Sequence, residues 1–264
     1  MSTATRLVAD RLRIILHFTR RDLRNRYLGS FSGGAWALLQ PLLQLAVYTF
    51  VFGYVFKARL PGSNAPGYVA FLVAALWPWL AFSESLQRAA TVLQEHAGLI
   101  AKVKLPRLVL PAAPVLASFC LHGAGFLAIL VILGLTGHDV SLARLPLVLP
   151  AYALLLLFAL GLGTLLSALQ VFVRDIAAAL PQLTMLWMFV SPVFYARETL
   201  PAPYSGWLAY NPYTAFAEYF RWALLDQAMP DVRACLVSVV AVLLVVMAGL
   251  WAFRRLGPHF EDFL

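Results

Sequence analysis

A chain of 264 residues that is 62% hydrophobic and only 12% charged, with a strongly positive mean hydropathy, has too little polar surface to clothe a soluble globule of its size. The net charge of +8 would suit nucleic acid in a soluble domain, but here the basic residues flank apolar runs, where they act as orientation signals for a membrane protein. Nucleic-acid binding is therefore excluded as a function.

The N-terminal head comes first. Arg6, Asp10, Arg13, His17, Arg20 and Arg24 recur at spacings of four and three, while Val8, Leu12, Ile15 and Leu23 hold the opposite face. This is the period of an amphipathic helix within residues 1–30. The apolar run 13–18 is too short, and too broken by arginine, for the core of a cleaved signal peptide. A basic amphipathic helix of this kind lies in the plane of the membrane surface. Whether it is an anchor alone or also docks a second protein stays open on these residues.

Six segments then approach the roughly 20 apolar residues that a bilayer core requires: 34–56, 68–87, 108–135, 145–173, 176–195 and 234–253. None alternates as a spanning strand would, so the expected fold is all-α, a polytopic membrane protein with six transmembrane helices. With the N-terminus inside, only Lys57, Arg59, Arg144, Arg197, Arg221 and Arg233 of the 20 Lys and Arg fall on the outer side. The positive-inside rule thus places both termini in the cytoplasm. No connection is long enough to separate two domains, and residues 1–264 read as one transmembrane domain.

Two connections stand out. The inner one, 88–107, mixes Arg88, Glu95, His96, Lys102, Lys104 and Arg107 with Leu93, Leu99, Ile100 and Val103, and can form a short amphipathic helix on the cytoplasmic face. The outer one, 196–232, is rich in aromatics such as Tyr204, Trp207, Tyr210 and Tyr213. It is too apolar for a free loop and is expected to form short re-entrant helices dipping into the outer leaflet. Asn211-Pro212 would start the second of them, with proline setting the first turn.

The sequence offers little catalytic chemistry. It has no G-x-x-x-x-G-K-[ST] loop, so the chain is not expected to hydrolyse ATP, and Gly161-Leu162-Gly163 reads as helix packing. Glu84 precedes Arg88 by four residues, the favourable order for a helical ion pair, and Asp175 follows Arg174 at a span boundary. His122 is the one histidine deep in a span, better read as a satisfied helix contact than as a proton relay. Cys120 and Cys235 read as small buried hydrophobes, with no disulfide framework and no metal ligands beside them. The missing acid and histidine clusters argue against a membrane transferase, and the absence of internal repeats against a secondary transporter. No metal or cofactor is expected on this chain.

What remains is aromatic. Tyr48, Phe52 and Phe56 recur every four residues on one face of the first span, which also carries Trp36; the fifth carries Trp187, Phe189, Phe194 and Tyr195. Such faces can stack on pyranose rings along a sugar passage or can face lipid, and periodicity alone leaves both open. The prolines of the spans, among them Pro78, Pro114 and Pro150, are kink sites.

Read in order, the motifs resemble a family. Arg21-Asp22-Leu23-Arg24-Asn25-Arg26-Tyr27, Gly34-Ala35-Trp36-Ala37-Leu38-Leu39-Gln40-Pro41, Leu76-Trp77-Pro78-Trp79, Leu105-Pro106-Arg107, Phe172-Val173-Arg174-Asp175-Ile176, Ser191-Pro192-Val193-Phe194-Tyr195, Tyr210-Asn211-Pro212 and the tail Glu261-Asp262-Phe263-Leu264 resemble the membrane (permease) subunit of bacterial polysaccharide ABC exporters. The likeness to O-antigen exporters is closer than that to capsule exporters. The resemblance implies a homodimer in the bacterial inner (cytoplasmic) membrane, driven by two copies of a separate ATPase that binds the ATP and Mg. Its substrate would be a lipid-linked polysaccharide.

The same resemblance implies roles for particular residues. Residues 7–27 would be an interface helix and 91–104 a coupling helix, with Arg20, Arg24, Glu95, His96, Leu99 and Lys102 toward the ATPase. Trp36, Tyr48, Phe52, Phe56, Trp187, Phe189 and Tyr195 would line the translocation channel, and Tyr210, Asn211 and Tyr213 would belong to a periplasmic gate. The chain departs from the family pattern at Gly33, where a bulky aliphatic residue is usual; the doubled glycine loosens the junction of head and first span by about 1 kcal/mol. A drug or small-lipid exporter of the same architecture is the alternative.

Overall fold

Helix α3 (Tyr68–Glu95) is the axis of the fold. From Ala70 to Trp79 its side chains are buried on every side, as expected of a helix that is apolar all round. Packed about it are α2 (Gly33–Tyr48), α5 (Val109–Leu135), α6 (Leu145–Gln170), α7 (Asp175–Val190) and α9 (Pro212–Leu225). The polar tips of its aromatic packing find partners: Trp77 Nε1 donates to the carbonyl of His122 at 3.0 Å, and Tyr213 Oη donates to that of Ala75 at 2.7 Å.

The computed structural model describes residues 3–26, 33–56, 67–100, 102 and 106–264, and every element among them is helical or a turn. The outer-loop residues 61–66 and Val103 to Leu105 lie outside the described residues, as do the side chains of Arg6, Val8 and Asp10. The remaining elements are α1 (Thr3–Asn25), a π-helical extension of α2 over Thr49–Val55, α4 (Ala97–Ile100), α8 (Ala202–Leu208), α10 (Val232–Leu256) and α11 (Phe260–Phe263).

Among the described residues four helices are long and apolar enough to cross a bilayer, Tyr68–Glu95, Val109–Leu135, Leu142–Gln170 and Val232–Phe263, while Leu39–Val55 and α7 are shorter apolar helices. Two boundaries differ from expectation. Helix α3 runs about two turns past residue 87, because its polar inner end is held: Arg88 by Asp22, and Gln94 by the carbonyl of Gln170, to which its side chain donates at 3.2 Å. Helix α7 stops at Val190, because Pro192 forces Ser191 into extended backbone (ψ 151°).

Helices α6 and α10 meet at bare backbone. A Cβ on Gly161 would lie 2.8 Å from the amide of Val246, and one on Gly249 would collide with the carbonyl of Gly161. The packing role expected of Gly161-Leu162-Gly163 is realised here, with Gly163 facing Ala89 of α3. Cys235 is half-buried, but Cys120 is exposed on α5, which corrects its expected burial. In a membrane protein the outward face of a helix is apolar too, so apolar neighbours do not report burial.

At the inner end a second apolar cluster gathers Val92, Leu93, Ile100, Leu110, Val171 and Phe253 around Phe260, which is fully buried. Arg107 ties the tail to this cluster by donating to the carbonyl of Gly257 and pairing with Glu261. At the outer end Arg144 pairs with Asp226, which closes α9 in the left-handed region at φ 55°.

Candidate functional site

Helix α2 places Trp36, Gln40, Gln44 and Tyr48 four residues apart, so they share one face. That face forms one wall of a cleft of about 470 Å³ closed by Ser83, Glu84 and Gln87 of α3, His122 of α5 and Thr184 and Met188 of α7. Amides, hydroxyls and ionisable groups within a membrane protein face its interior or a cavity rather than lipid. Gln40 and Gln44 were not singled out from sequence, although they simply extend the four-residue stripe of Tyr48, Phe52 and Phe56 inward.

The inner end of the cleft is held by charge. Arg26 pairs with Glu84 at 2.7 Å and donates to Ser118 Oγ at 2.6 Å, while His122 Nε2 lies 2.6 Å from the other oxygen of Glu84. The expected Glu84–Arg88 pair is not made. Arg88 instead forms a two-pronged pair with Asp22 at 2.7 and 2.8 Å, and Asp22 also faces Arg26 at 3.5 Å. The head helix therefore reaches the cleft through a chain Arg88–Asp22–Arg26–Glu84–His122. His122 is the satisfied contact expected of it, 5% exposed and bonded at both ring and backbone.

At the outer end Phe194 collects aromatic rings. Its centroid lies 4.8 Å from Tyr48, 4.7 Å from Phe52 and 5.1 Å from Phe189. Phe56 continues from Phe52 at 5.8 Å and is exposed. Tyr195 turns back, its hydroxyl donating to the carbonyl of Val190 at 3.1 Å. Trp187 is not on the cleft wall; it packs edge-on against Trp79, Phe82 and Phe158, and its Nε1 donates to Asn211 Oδ1 at 2.9 Å.

Asn211 is the N-cap of α9, its Oδ1 also accepting from the Tyr213 amide at 3.1 Å, and Pro212 takes the first turn as expected. Its Nδ2 donates to Ser191 Oγ at 2.9 Å, which closes a junction between the end of α7 and the start of α9. Of the other residues expected at a gate, Tyr210 is exposed whereas Tyr213 is wholly buried against α3. Beyond them Arg197 joins Asp231 at 3.2 Å and Glu218 at 3.7 Å. Asp231 accepts the backbone amide of Arg233 and the Arg197 guanidinium, which together hold its carboxyl below the usual range.

Arg20, Arg24 and Lys102 are exposed. Glu95 accepts from Thr91 Oγ1 at 2.6 Å, His96 ends α3 with its ring 6.4 Å from Phe18 of the head helix, and Leu99 packs on the inner apolar cluster. A smaller cleft of about 270 Å³ separates the head from this turn, lined by Arg21, Asp22, Glu95 and His96 among others. Of the residues expected to couple, Glu95, His96 and Leu99 thus lie beside the head helix that carries Arg20 and Arg24, and 97–100 is the one helical piece between α3 and α5 among the described residues.

The described residues form a bundle of apolar helices around a cleft walled by polar and aromatic side chains, the arrangement of a polytopic membrane protein. The chain belongs to the ABC-2 type transporter family, whose model matches residues 14–225. It is similar to an O-antigen export system permease protein RfbA of Myxococcus xanthus, 28% identical over 92% of both chains, and to another from Klebsiella pneumoniae, 27% identical over 95% of both. It is also similar to the polysialic acid transport protein KpsM of Escherichia coli, 22% identical over 89% of this chain and 90% of that one.

Proposed function

We propose that this chain is the permease subunit of an ABC transporter that exports a lipid-linked polysaccharide, of O-antigen or capsule type, across the bacterial inner membrane. The observation that carries the reading is the stripe Trp36, Gln40, Gln44 and Tyr48 on one wall of the cleft. Aromatic faces suit sugar rings, and amides both donate to and accept from hydroxyls. The similarity to O-antigen and polysialic acid transport proteins supports the same substrate class. A drug exporter would want an apolar cavity, and these amides argue against it.

In this reading two copies of the chain enclose the channel and two copies of a separate ATPase, with its ATP and Mg, drive it. Six spans cross the membrane with both termini cytoplasmic. Helix α7, ~24 Å long at 1.5 Å per residue, completes its crossing through the extended segment after Ser191. Helices α8 and α9 form the re-entrant gate, with Tyr210 and Asn211 at its edge. Trp36, Tyr48, Phe52, Phe56, Phe189 and Tyr195 line the channel, with Phe194 buried beneath Tyr48, Phe52 and Phe189 as their support, and Trp187 positions the gate from behind. Arg20, Arg24, Glu95, His96, Leu99 and Lys102 meet the ATPase.

The test is co-purification with a candidate ATPase, followed by an ATPase assay with and without lipid-linked glycan. Stable association and stimulation by the glycan are expected. A chain that purifies alone and couples to no nucleotide-binding subunit would sink the proposal.

A further inference from the structure

Helix α10 has two unlike faces. Ala234, Ser238, Val242, Gly249 and Phe253 are buried, and by this face the helix meets α6 and α9. On the other face Leu236, Val240, Leu243, Leu244 and Met247 are exposed, an apolar track that runs about 22 Å down to Trp251. Helix α10 contributes nothing to the cleft walled by α2, α3, α5 and α7. A track of this length and composition meets acyl chains. At its end the chemistry changes. Met247, Leu250, Trp251, Arg254 and Arg255, at spacings of three, one, three and one, share one side of the helix and line an open groove of about 450 Å³. Trp251 is 70% exposed beside the two arginines. Among the described residues neither arginine meets a carboxylate, and Glu261 of the tail is taken by Arg107.

We infer that this groove binds an anionic phospholipid, its phosphate on Arg254 and Arg255, its glycerol region at the Trp251 indole and an acyl chain along Met247 and the track above. On the proposed topology, with both termini cytoplasmic, the lipid belongs to the inner leaflet. The order of side chains along α10, apolar, then aromatic, then cationic, matches the order of acyl chain, glycerol and phosphate in the lipid. Tryptophan favours that depth, and guanidinium groups bond phosphate oxygens in pairs. A zwitterionic lipid brings its own cation to the phosphate, whereas an anionic one leaves its charge for the two arginines. Two other occupants fit less well. A soluble partner could meet the guanidinium groups but not Met247, ~12 Å further along the helix. A second copy docking by this stripe about an axis along the membrane normal would set arginine against arginine.

The experiment reads which lipid lies beside Trp251. The full chain is reconstituted in phosphatidylcholine nanodiscs that carry a minor fraction of dibrominated phosphatidylglycerol or of dibrominated phosphatidylcholine. Bromine quenches nearby indoles, and the difference between wild type and Trp251→Phe isolates this one. Half-quenching is expected at a phosphatidylglycerol fraction about tenfold lower than for phosphatidylcholine, an enrichment within reach of two arginines at the membrane surface. Equal fractions for the two lipids overturn the proposal. Native mass spectra of the wild type give the same comparison without a variant, as retention of phosphatidylglycerol over phosphatidylcholine.

The double variant Arg254→Gln/Arg255→Gln should bring the two half-quenching fractions together. It should also lower the melting temperature more in nanodiscs that contain phosphatidylglycerol than in phosphatidylcholine alone. An equal loss in both lipids would leave the arginines only the carbonyl end of α10 to serve, and would overturn the site. With the partner ATPase assembled on the chain the preference should persist; its loss on assembly would give the arginines to the ATPase instead. Nanodiscs present both leaflets alike and the measurement needs neither glycan nor ATPase, so a negative result leaves the export reading standing. Conversely, a chain that associates with no ATPase would sink that reading while the lipid preference could still be measured.

Discussion

Trp187 and Asn211 are joined by a 2.9 Å hydrogen bond from the indole nitrogen to the amide oxygen, so one end of the α7 aromatic core holds the N-cap residue of α9. The same oxygen caps the Tyr213 amide and the same side chain donates to Ser191. Asn211→Ala removes all three bonds and should cost about 1–2 kcal/mol through the lost cap and its partners. Asn211→Asp keeps both acceptor bonds and loses the donation to Ser191. Thermal unfolding of the purified chain should rank wild type above Asn211→Asp, and Asn211→Ala lowest. A variant Ala as stable as wild type would show the junction to be dispensable.

The charge chain from the head helix to the cleft should behave as a unit. Glu84 bridges Arg26 and His122, so its replacement by Gln weakens both contacts at once, whereas His122→Gln weakens one. Because Glu84 is 36% exposed, the pair is partly screened, and a coupling energy of about 1 kcal/mol between these two substitutions is expected. The measurement is a double-mutant cycle in chemical or thermal unfolding. Strict additivity would mean that the two side chains are adjacent without interacting.

Local patterns carried much of this fold on their face. The head's spacing of four and three, the Asn-Pro start of α9 and the glycines of α6 each follow from neighbours in sequence, and each is found in the structure. Long-range choices were hidden. Arg88 had a good local partner in Glu84, yet Asp22 offers it two oxygens from another helix, a geometry that helical spacing cannot reveal. Tyr213 read as part of an aromatic segment dipping into the outer leaflet, but α9 lies against α3 and buries its ring, with Ala75 taking its hydroxyl. Trp187 shared a helix with cleft residues, and which face of α7 meets the cleft depended on packing against Trp79 and Phe158.

The contact of α6 with α10 should tolerate no added atom. Gly249→Ala drives a methyl group into the Gly161 carbonyl, and backbone on both sides leaves nothing flexible to yield. A loss of about 2 kcal/mol or more is expected, as for overpacked cores. Gly206→Ala is the control, since a Cβ there meets nothing within 4 Å. Size-exclusion profiles and melting temperatures of the two variants should diverge; equal behaviour would mean that α6 and α10 can separate without penalty.

Arg107 should hold the C-terminal tail against the inner end of the bundle. Arg107→Ala loses the pair with Glu261 and the donation to Gly257, while Phe260 keeps its apolar pocket. With Glu261 54% exposed, the change in global stability should stay near or below about 1 kcal/mol. Local opening is the sharper readout: amide hydrogen exchange over residues 257–264 should accelerate severalfold with the rest of the chain unaffected. Unchanged exchange would place the tail's anchor in Phe260 alone.

The outer junction should weaken in acid. Asp231 has a folded-state pKa depressed first by the Arg233 amide and then by Arg197. Its contribution to stability is therefore fully present above the unfolded carboxyl value of about 3.9 and is lost as pH falls through the lower folded value. Asp231→Asn removes the charge at every pH, and it weakens both the α10 N-cap and the tie to Arg197. The gap in melting temperature between wild type and this variant should be open at pH 7, begin to narrow below about 4, and close as the pH falls through the lower folded-state value at which the wild-type carboxylate is itself protonated. A gap that is independent of pH would assign the effect to the shape of the side chain and not to its charge.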